Sequence, residues 1–194
     1  MKLVCFATFE EAKGTLDHFC PQKVNSGLYS SSRALFAITG IGPFASHIIT
    51  LALSENIDEI INIGLAGSYR QDLEIGSIHP IRRCSKFLWH PKGKEASLIS
   101  AAASFAPLTL ANEGLELVTV DFPQYIAKGP LAEEFDLVDM EGYGIAIAAE
   151  MKGIPCKLYK IVSDHCSEKS VSQIQAKLTH LSEQMAKFLD PLLT

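Results

Sequence analysis

The sequence is short of the features that settle a function at sight. Its five cysteines (Cys5, Cys20, Cys84, Cys156, Cys166) are odd in number and scattered, and no C-x-x-C pair occurs. That speaks against a zinc knuckle or a redox dithiol and reads as incidental thiols in a reducing cytosol. Basic charge is also scarce: 17 Lys+Arg face 22 Asp+Glu, a formal net charge of -5. The small cluster Arg82, Arg83 and Lys86 does not amount to the footprint of a nucleic-acid binder. No apolar run approaches the ~20 residues of a spanning helix. Leu3 to Phe9 opens like a stunted signal peptide, but Glu10-Glu11 follow at once and no small-residue cleavage site comes after them. A phosphate loop of the G-x-x-x-x-G-K-[ST] type is missing, and Gly40-Ile41-Gly42 has no third glycine at the dinucleotide-binding spacing. The expectation is a soluble cytoplasmic protein with no membrane or nucleic-acid partner.

What remains is an ordinary globular composition, 47% hydrophobic and 20% charged over 194 residues. That length suits one domain, residues 1–194, able to hide about 70% of its unfolded surface. Neither an internal repeat nor a linker divides it. Leu3 to Ala7 reads as a strand buried on both faces. Thr8-Phe9-Glu10-Glu11 has the form of a capping box opening a helix that ends near Cys20-Pro21. Ala34 to Thr39 is a second buried strand, and Phe44 to Ser54 a second helix. A third strand enters through Ile57 to Ile63 and is broken by Gly64-Leu65-Ala66-Gly67. Further on, Gly76 to Ile81 and Glu116 to Val120 read as strands, Glu95 to Phe105 as a helix, and the stretch around Lys86 to Lys94 as a loop. Glu141 to Lys152 is a helix rich in small residues, Lys157 to Val162 a strand, and Val171 to Leu189 an amphipathic helix. Strand and helix alternate, which is the mark of an α/β sheet with helical crossovers.

In open α/β sheets ligands bind beyond the carboxyl ends of the strands. The polar residues that follow the apolar strands are therefore the candidates: Thr8, Glu10 and Glu11; Gly40 to Gly42; Gly64 to Ser68; Asp139-Met140-Glu141; Ser163-Asp164. Each also has an ordinary reading. Glu11 completes a helix cap, Glu141 is a favourable charge at a helix N-terminus, and His165 is a surface imidazole.

In order along the chain, Ile38-Thr39-Gly40-Ile41-Gly42, Ile61-Asn62-Ile63-Gly64-Leu65-Ala66-Gly67, Val138-Asp139-Met140-Glu141-Gly142 and Ile161-Val162-Ser163-Asp164 resemble the nucleoside phosphorylase/nucleosidase superfamily. More narrowly they resemble the bacterial methylthioadenosine/S-adenosylhomocysteine nucleosidases and the futalosine hydrolases. The resemblance covers nearly the whole chain and is most specific from Val138 to Asp164. It implies a nucleoside phosphorylase-like fold: a single-domain three-layer α/β/α architecture around a central twisted mixed sheet.

The resemblance also implies roles. Glu141 would accept both ribose hydroxyls, which suits a carboxylate with two oxygens, and Met140 would contribute to substrate binding. Asp164 would protonate N7 of the departing purine, with Ser163 orienting it. That task asks for a raised carboxyl pKa. Ala66, Gly67 and Ile41 would line the pocket; Phe122 would stack on the base, and Phe9 would lie on the sugar side. Neither metal nor other cofactor is implied. The partner is a small-molecule nucleoside, and the assembly a homodimer.

Methylthioadenosine nucleosidases usually carry a longer acidic run after the first strand, ending in the glutamate that activates water. Alignment from Met1 puts Ala12 there. Thr8, Glu11 and Ala12 match the futalosine hydrolases instead, as does Gly142 after Glu141. Glu11 is thus the candidate for positioning the water, with Glu10 in reserve. An aspartate donor suits a 6-amino purine, so the expected substrate is 6-amino-6-deoxyfutalosine, a precursor in menaquinone biosynthesis, ahead of futalosine. Methylthioadenosine/S-adenosylhomocysteine nucleosidase activity is the alternative. Phosphorolysis is disfavoured because Asp58 to Asn62, which leads into the Gly64 to Gly67 segment, holds no arginine, and neither Arg70 nor Lys160 stands at a phosphorylase position. Ala12 also motivates a further alternative, a nucleoside-binding protein that has lost catalysis.

Overall fold

The computed structural model describes residues 1–42, 56–87, 107–121, 131–167 and 170–194, without the side chains of 170–173. The helices expected over Phe44 to Ser54 and Glu95 to Phe105, most of the expected loop after Lys86, and Phe122 lie outside the described residues. In chain order the elements are β1 (Lys2–Phe6), α1 (Phe9–Phe19), β2 (Gln22–Asn25), β3 (Leu28–Ser30), β4 (Ala34–Ile38), β5 (Glu59–Ser68), β6 (Ile78–Lys86), β7 (Leu108–Thr109) and β8 (Leu115–Thr119). There follow α2 (Leu131–Glu134), β9 (Leu137–Asp139), α3 (Gly142–Lys152), β10 (Cys156–Asp164) and α4 (Ser170–Leu189), with a closing 3-10 turn at Asp190–Leu193.

One mixed sheet runs in the order β10-β6-β8-β9-β5-β1-β4-β3-β2. Strand β1 lies parallel between β4 and β5. Strand β10 lies parallel to β5 on one side and antiparallel to β6 on the other. The pairing of β10 with β5 closes β5, β10, β6, β8 and β9 into a ring, so the sheet is part open and part barrel.

Apolar patterning sets the layers. Ala12 and Leu16 of α1 and Leu181, Met185 and Leu189 of α4 pack on Val4, Phe6, Phe36, Ile61 and Ile161. On the opposite face, Ile145 and Ala149 of α3 cover Leu3, Cys5, Leu35 and Ile60. The result is the expected three-layer α/β/α arrangement. Among the described residues no helix is long and apolar enough to cross a membrane.

Two expectations are corrected and one element was not foreseen. The strand expected to break at Gly64 to Gly67 runs straight through as β5, with Gly64 opposite Lys160 and Gly67 opposite Val138. These glycines mark close approach rather than a turn: a Cβ on Gly67 would stand 2.8 Å from Cys166 Sγ. Strand β6 extends to Lys86, and its two arginines are held by Glu116 of β8, Arg83 Nε to Oε2 at 2.9 Å and Arg82 to Oε1. Finally, the β2–β3 hairpin has no counterpart in the sequence reading, since Gln22–Asn25 is exposed throughout and carries no apolar alternation.

Candidate active site

Helix α1 starts where the sequence says. Thr8 Oγ1 accepts from the Glu11 amide at 3.2 Å, and Glu11 Oε2 accepts from the Thr8 and Ala7 amides at 3.3 and 3.0 Å. This cap fixes Glu11 at the end of β1, buried, with its carboxylate over Gly64: a Cβ there would lie 3.6 Å from Glu11 Oε2 and 3.8 Å from Lys160 Nζ. Glu10 points outward and is exposed. Burial raises the Glu11 pKa; the Lys160 charge and the amides of Thr8, Ala7 and Leu65 oppose that rise.

Glu141 stands at the N-cap position of α3 but does not cap it. Its Oε1 instead accepts the amide of Gly42 at 2.8 Å, across 99 residues of sequence. Gly42 takes φ 86°, a left-handed conformation that aims its N–H at the carboxylate. Capping falls to Asp139, whose Oδ2 accepts the Gly142 amide at 2.7 Å and whose Oδ1 accepts Thr119 Oγ1 at 2.6 Å. Glu141 is buried, and desolvation, together with the nearby Asp139 charge, raises its pKa to about 7.

Between these carboxylates lies a fully buried cation. Lys160 Nζ donates to Asn62 Oδ1 at 2.7 Å and pairs with Asp139 Oδ2 at 2.7 Å. Glu11, Glu141 and Asp139 all raise its pKa against the desolvation that lowers it. The ammonium therefore stays charged, and one positive charge serves three acidic groups. In the sequence, Asp139 is named only among the polar residues that follow the strands and Lys160 is weighed only as a phosphate partner; neither receives a role in the site. The available signal was a lysine inside the apolar run Leu158 to Val162, a position where a charge persists only with buried partners.

Asp164 ends β10, also buried. Its Oδ2 lies 2.8 Å from Ser163 Oγ, and its Oδ1 accepts the Cys166 amide at 2.7 Å. Ser163 Oγ also lies 3.1 Å from the Ala66 carbonyl. A hydroxyl has one proton and two lone pairs. It donates to Asp164 when that carboxyl is ionised, and to Ala66 when it receives the Asp164 proton, so both protonation states are accommodated. Gly67 completes this corner, 3.5 Å from Asp164 Oδ1 at its would-be Cβ.

The structure thus gathers Glu11 and Glu141 around Lys160, and Asp164 with Ser163, Ala66 and Gly67 along the same strand β5. Met140 is partly buried against the apolar cluster that includes Val118, Val138 and Cys166. Phe9 and Ile41 are 49% and 59% exposed. His165 is turned away, Nε2 at 2.9 Å from the Leu73 carbonyl. Arg70 is exposed and paired with Asp72 and Asp136. Among the described residues no group of three or more His, Cys, Asp or Glu side chains is arranged to hold a metal.

No protein-family model matches the chain. Among curated proteins it is 26% identical to the aminodeoxyfutalosine nucleosidase of Helicobacter pylori over 190 residues, covering 85% of this chain and 81% of the relative. Among solved structures, the 5'-methylthioadenosine/S-adenosyl homocysteine nucleosidase of Helicobacter pylori, complexed with a pyrrolopyrimidine-bearing pyrrolidinol, superposes with TM-score 0.83 at 18% identity over 98% of this chain and 96% of that one. A futalosine hydrolase mutant of the same organism gives TM-score 0.82 at 17% identity over 97% and 96%. The resemblance to the nucleoside phosphorylase/nucleosidase superfamily and its futalosine branch is borne out in sequence, and the fold in structure.

Proposed function

We infer that this chain, a nucleoside N-ribosyl hydrolase of the nucleoside phosphorylase/nucleosidase superfamily, releases adenine from 6-amino-6-deoxyfutalosine as one nucleosidase domain over residues 1–194. The observation that carries the reading is the buried trio of carboxylates, Glu11, Glu141 and Asp164, at the ends of β1, β9 and β10, three strands that each pair with β5. Cleaving the bond from ribose to purine needs the sugar held, the base protonated and water delivered to the anomeric carbon.

Glu141 holds the sugar. Its Oε1 is oriented by Gly42, and its charge is available to the two ribose hydroxyls. Asp164 supplies the proton to N7 of the base, with Ser163 as its partner in both protonation states. Glu11, fixed by its cap, orients the water and takes its proton. Positive charge growing on the ribose in the transition state meets a pocket in which, among the described residues, carboxylates outnumber the cation Lys160. Ala66, Gly67 and Met140 line the pocket; Ile41 and Phe9 stand at its exposed rim, where substrate would cover them.

Water is preferred to phosphate because Lys160, the buried cation, is already taken by Asp139 and Asn62. A phosphate dianion needs cationic or amide partners to spare. Cleavage therefore runs at the same rate with and without phosphate. The futalosine-type substrate follows the named relatives and the Thr8–Glu11–Ala12 pattern; methylthioadenosine is the competitor. A homodimer in the cytosol completes the reading. Met151 on α3, 80% exposed beside partly buried Ile147 and Ala148, supplies apolar surface for such contact.

The test is product analysis of the purified chain with aminodeoxyfutalosine and with methylthioadenosine, alongside Asp164→Asn and Glu141→Gln. Adenine release from the first substrate, faster than from the second and lost by at least a hundredfold in both folded variants, is expected. Full activity in either variant removes the site assignment. A preference for methylthioadenosine removes the substrate assignment alone.

A further inference from the structure

The assignment of Glu11 leaves open what holds its helix at the right height over β5. The cap secures the carboxylate end of the residue; the backbone end is secured from another element. Ser182 of α4 is buried at 1% exposure, and its Oγ donates to the Glu11 carbonyl at 2.9 Å while accepting the Gly14 amide at 2.6 Å. One hydroxyl therefore grips the first and second turns of α1 at once, 171 and 168 residues away in sequence. The helices touch at backbone level here: a Cβ on Gly14 would stand 2.6 Å from the carbonyl carbon and oxygen of Ser182. No side chain fits at position 14, and the seam cannot slide without breaking the grip.

A second observation gives the grip a competitor. Thr15 is fully buried, and its Oγ1 has no hydrogen-bond partner among the described residues. In a helix a threonine hydroxyl ordinarily bonds the carbonyl four residues back, which bends the helix. For Thr15 that carbonyl is Glu11's, and Ser182 already occupies it. A buried hydroxyl left unpaired carries a cost, so the fold accepts an orphan in order to keep the Glu11 carbonyl in Ser182's hands.

We propose that Ser182 is a positioning residue for Glu11: from the far end of the chain it holds the first turn of α1 straight, so that the carboxylate stays over Gly64 beside Lys160. The proposal rests on the reading that Glu11 orients the attacking water. Without Ser182, Thr15 takes the free carbonyl, bends α1 and displaces the carboxylate, while the ribose and base contacts at Glu141 and Asp164 are untouched.

Steady-state kinetics on the nucleoside that the wild-type chain cleaves test this with four variants: Glu11→Gln, Ser182→Ala, Thr15→Val and the double variant Ser182→Ala/Thr15→Val. Ser182→Ala is expected to lower kcat about fivefold to tenfold with KM unchanged, the effect of one buried hydrogen bond on a reacting geometry. Thr15→Val, which removes the orphan hydroxyl in the same shape, leaves kcat at the wild-type level. The double variant recovers part of the lost kcat, since the competitor for the carbonyl is gone. A merely structural role predicts no such recovery. Unchanged kcat in Ser182→Ala, a change of KM in step with kcat, or a double variant no better than Ser182→Ala overturns the proposal. If Ser182→Ala does not fold, Ser182→Cys, which keeps the shape and a weak donor, stands in under the same criteria. Wild-type turnover in Glu11→Gln would instead overturn the role of Glu11 itself, whatever Ser182 does.

Discussion

At the scale of single residues, the site is a problem of charge kept out of water. In its proposed role Glu141 must be ionised to accept two hydroxyl protons, yet burial and Asp139 lift its pKa to about 7. The ionised form is lost as pH falls through that value, so kcat/KM should fall about tenfold per unit on the acid side of pH 7. A profile flat down to pH 5 would rule this out. The same shift has a stability side. The folded-state value lies above the ordinary 4.5, so the stability associated with Glu141 is present below about 4.5 and lost as pH rises through about 7. Glu141→Gln should accordingly raise Tm at pH 8 and leave it nearly unchanged at pH 4, while abolishing turnover. Lys160 is the counterweight. Lys160→Met leaves Asp139 buried and uncompensated, a loss of about 3–5 kcal/mol. Denaturant titration should show it, with Asp139→Asn in the same chain restoring much of the difference. Glu11 and Asp164 could be picked out from residue type and place in the sequence. Lys160 could not be given a role that way, because its meaning depends on partners 98 residues upstream at Asn62 and 21 upstream at Asp139.

Helices and strands add what residues cannot do alone, which is to aim them. Helix α3 shows it best. Its N-cap residue is diverted to Gly42, and Asp139 from the preceding strand takes over the capping. That substitution needs Gly142: a Cβ there would stand 2.8 Å from Asp139 Oδ2 and 2.7 Å from Leu117 Cδ2. Gly142→Ala should cost about 1–3 kcal/mol by overpacking and raise KM, because the displaced α3 start carries Glu141. Thermal melts and saturation kinetics measure the two effects separately; an unaltered KM would sever Asp139's capping from sugar binding. Elements with strong local signals were readable in advance. The α1 capping box and the periodicity of α4 placed both helices within a residue or two. Strand β5 was misread at its glycines because local rules treat Gly as a breaker, whereas here it leaves room for Glu11, Lys160 and Cys166. The β2–β3 hairpin escaped because it buries nothing that would impose a period.

For the molecule as a whole, the proposed function depends on a ring. Closing β10 onto β5 brings Ser163 to within 3.1 Å of Ala66 and sets the Asp164 corner beside the Lys160 network. The phosphate independence argued above belongs to this scale, since it rests on the buried cation being consumed by the fold itself. Adenine release that rises with phosphate concentration would contradict it.

By itself the amino-acid sequence determined the class of fold, the order of most elements and the identity of the acidic residues, because hydrophobic period and helix caps act over a few neighbouring positions. Only the tertiary structure decided which of those acids cap, which face Lys160, and which backbone amides and hydroxyls hold them. Those choices are made by groups tens to hundreds of residues apart, and a buried charge takes its properties from whatever the fold places beside it.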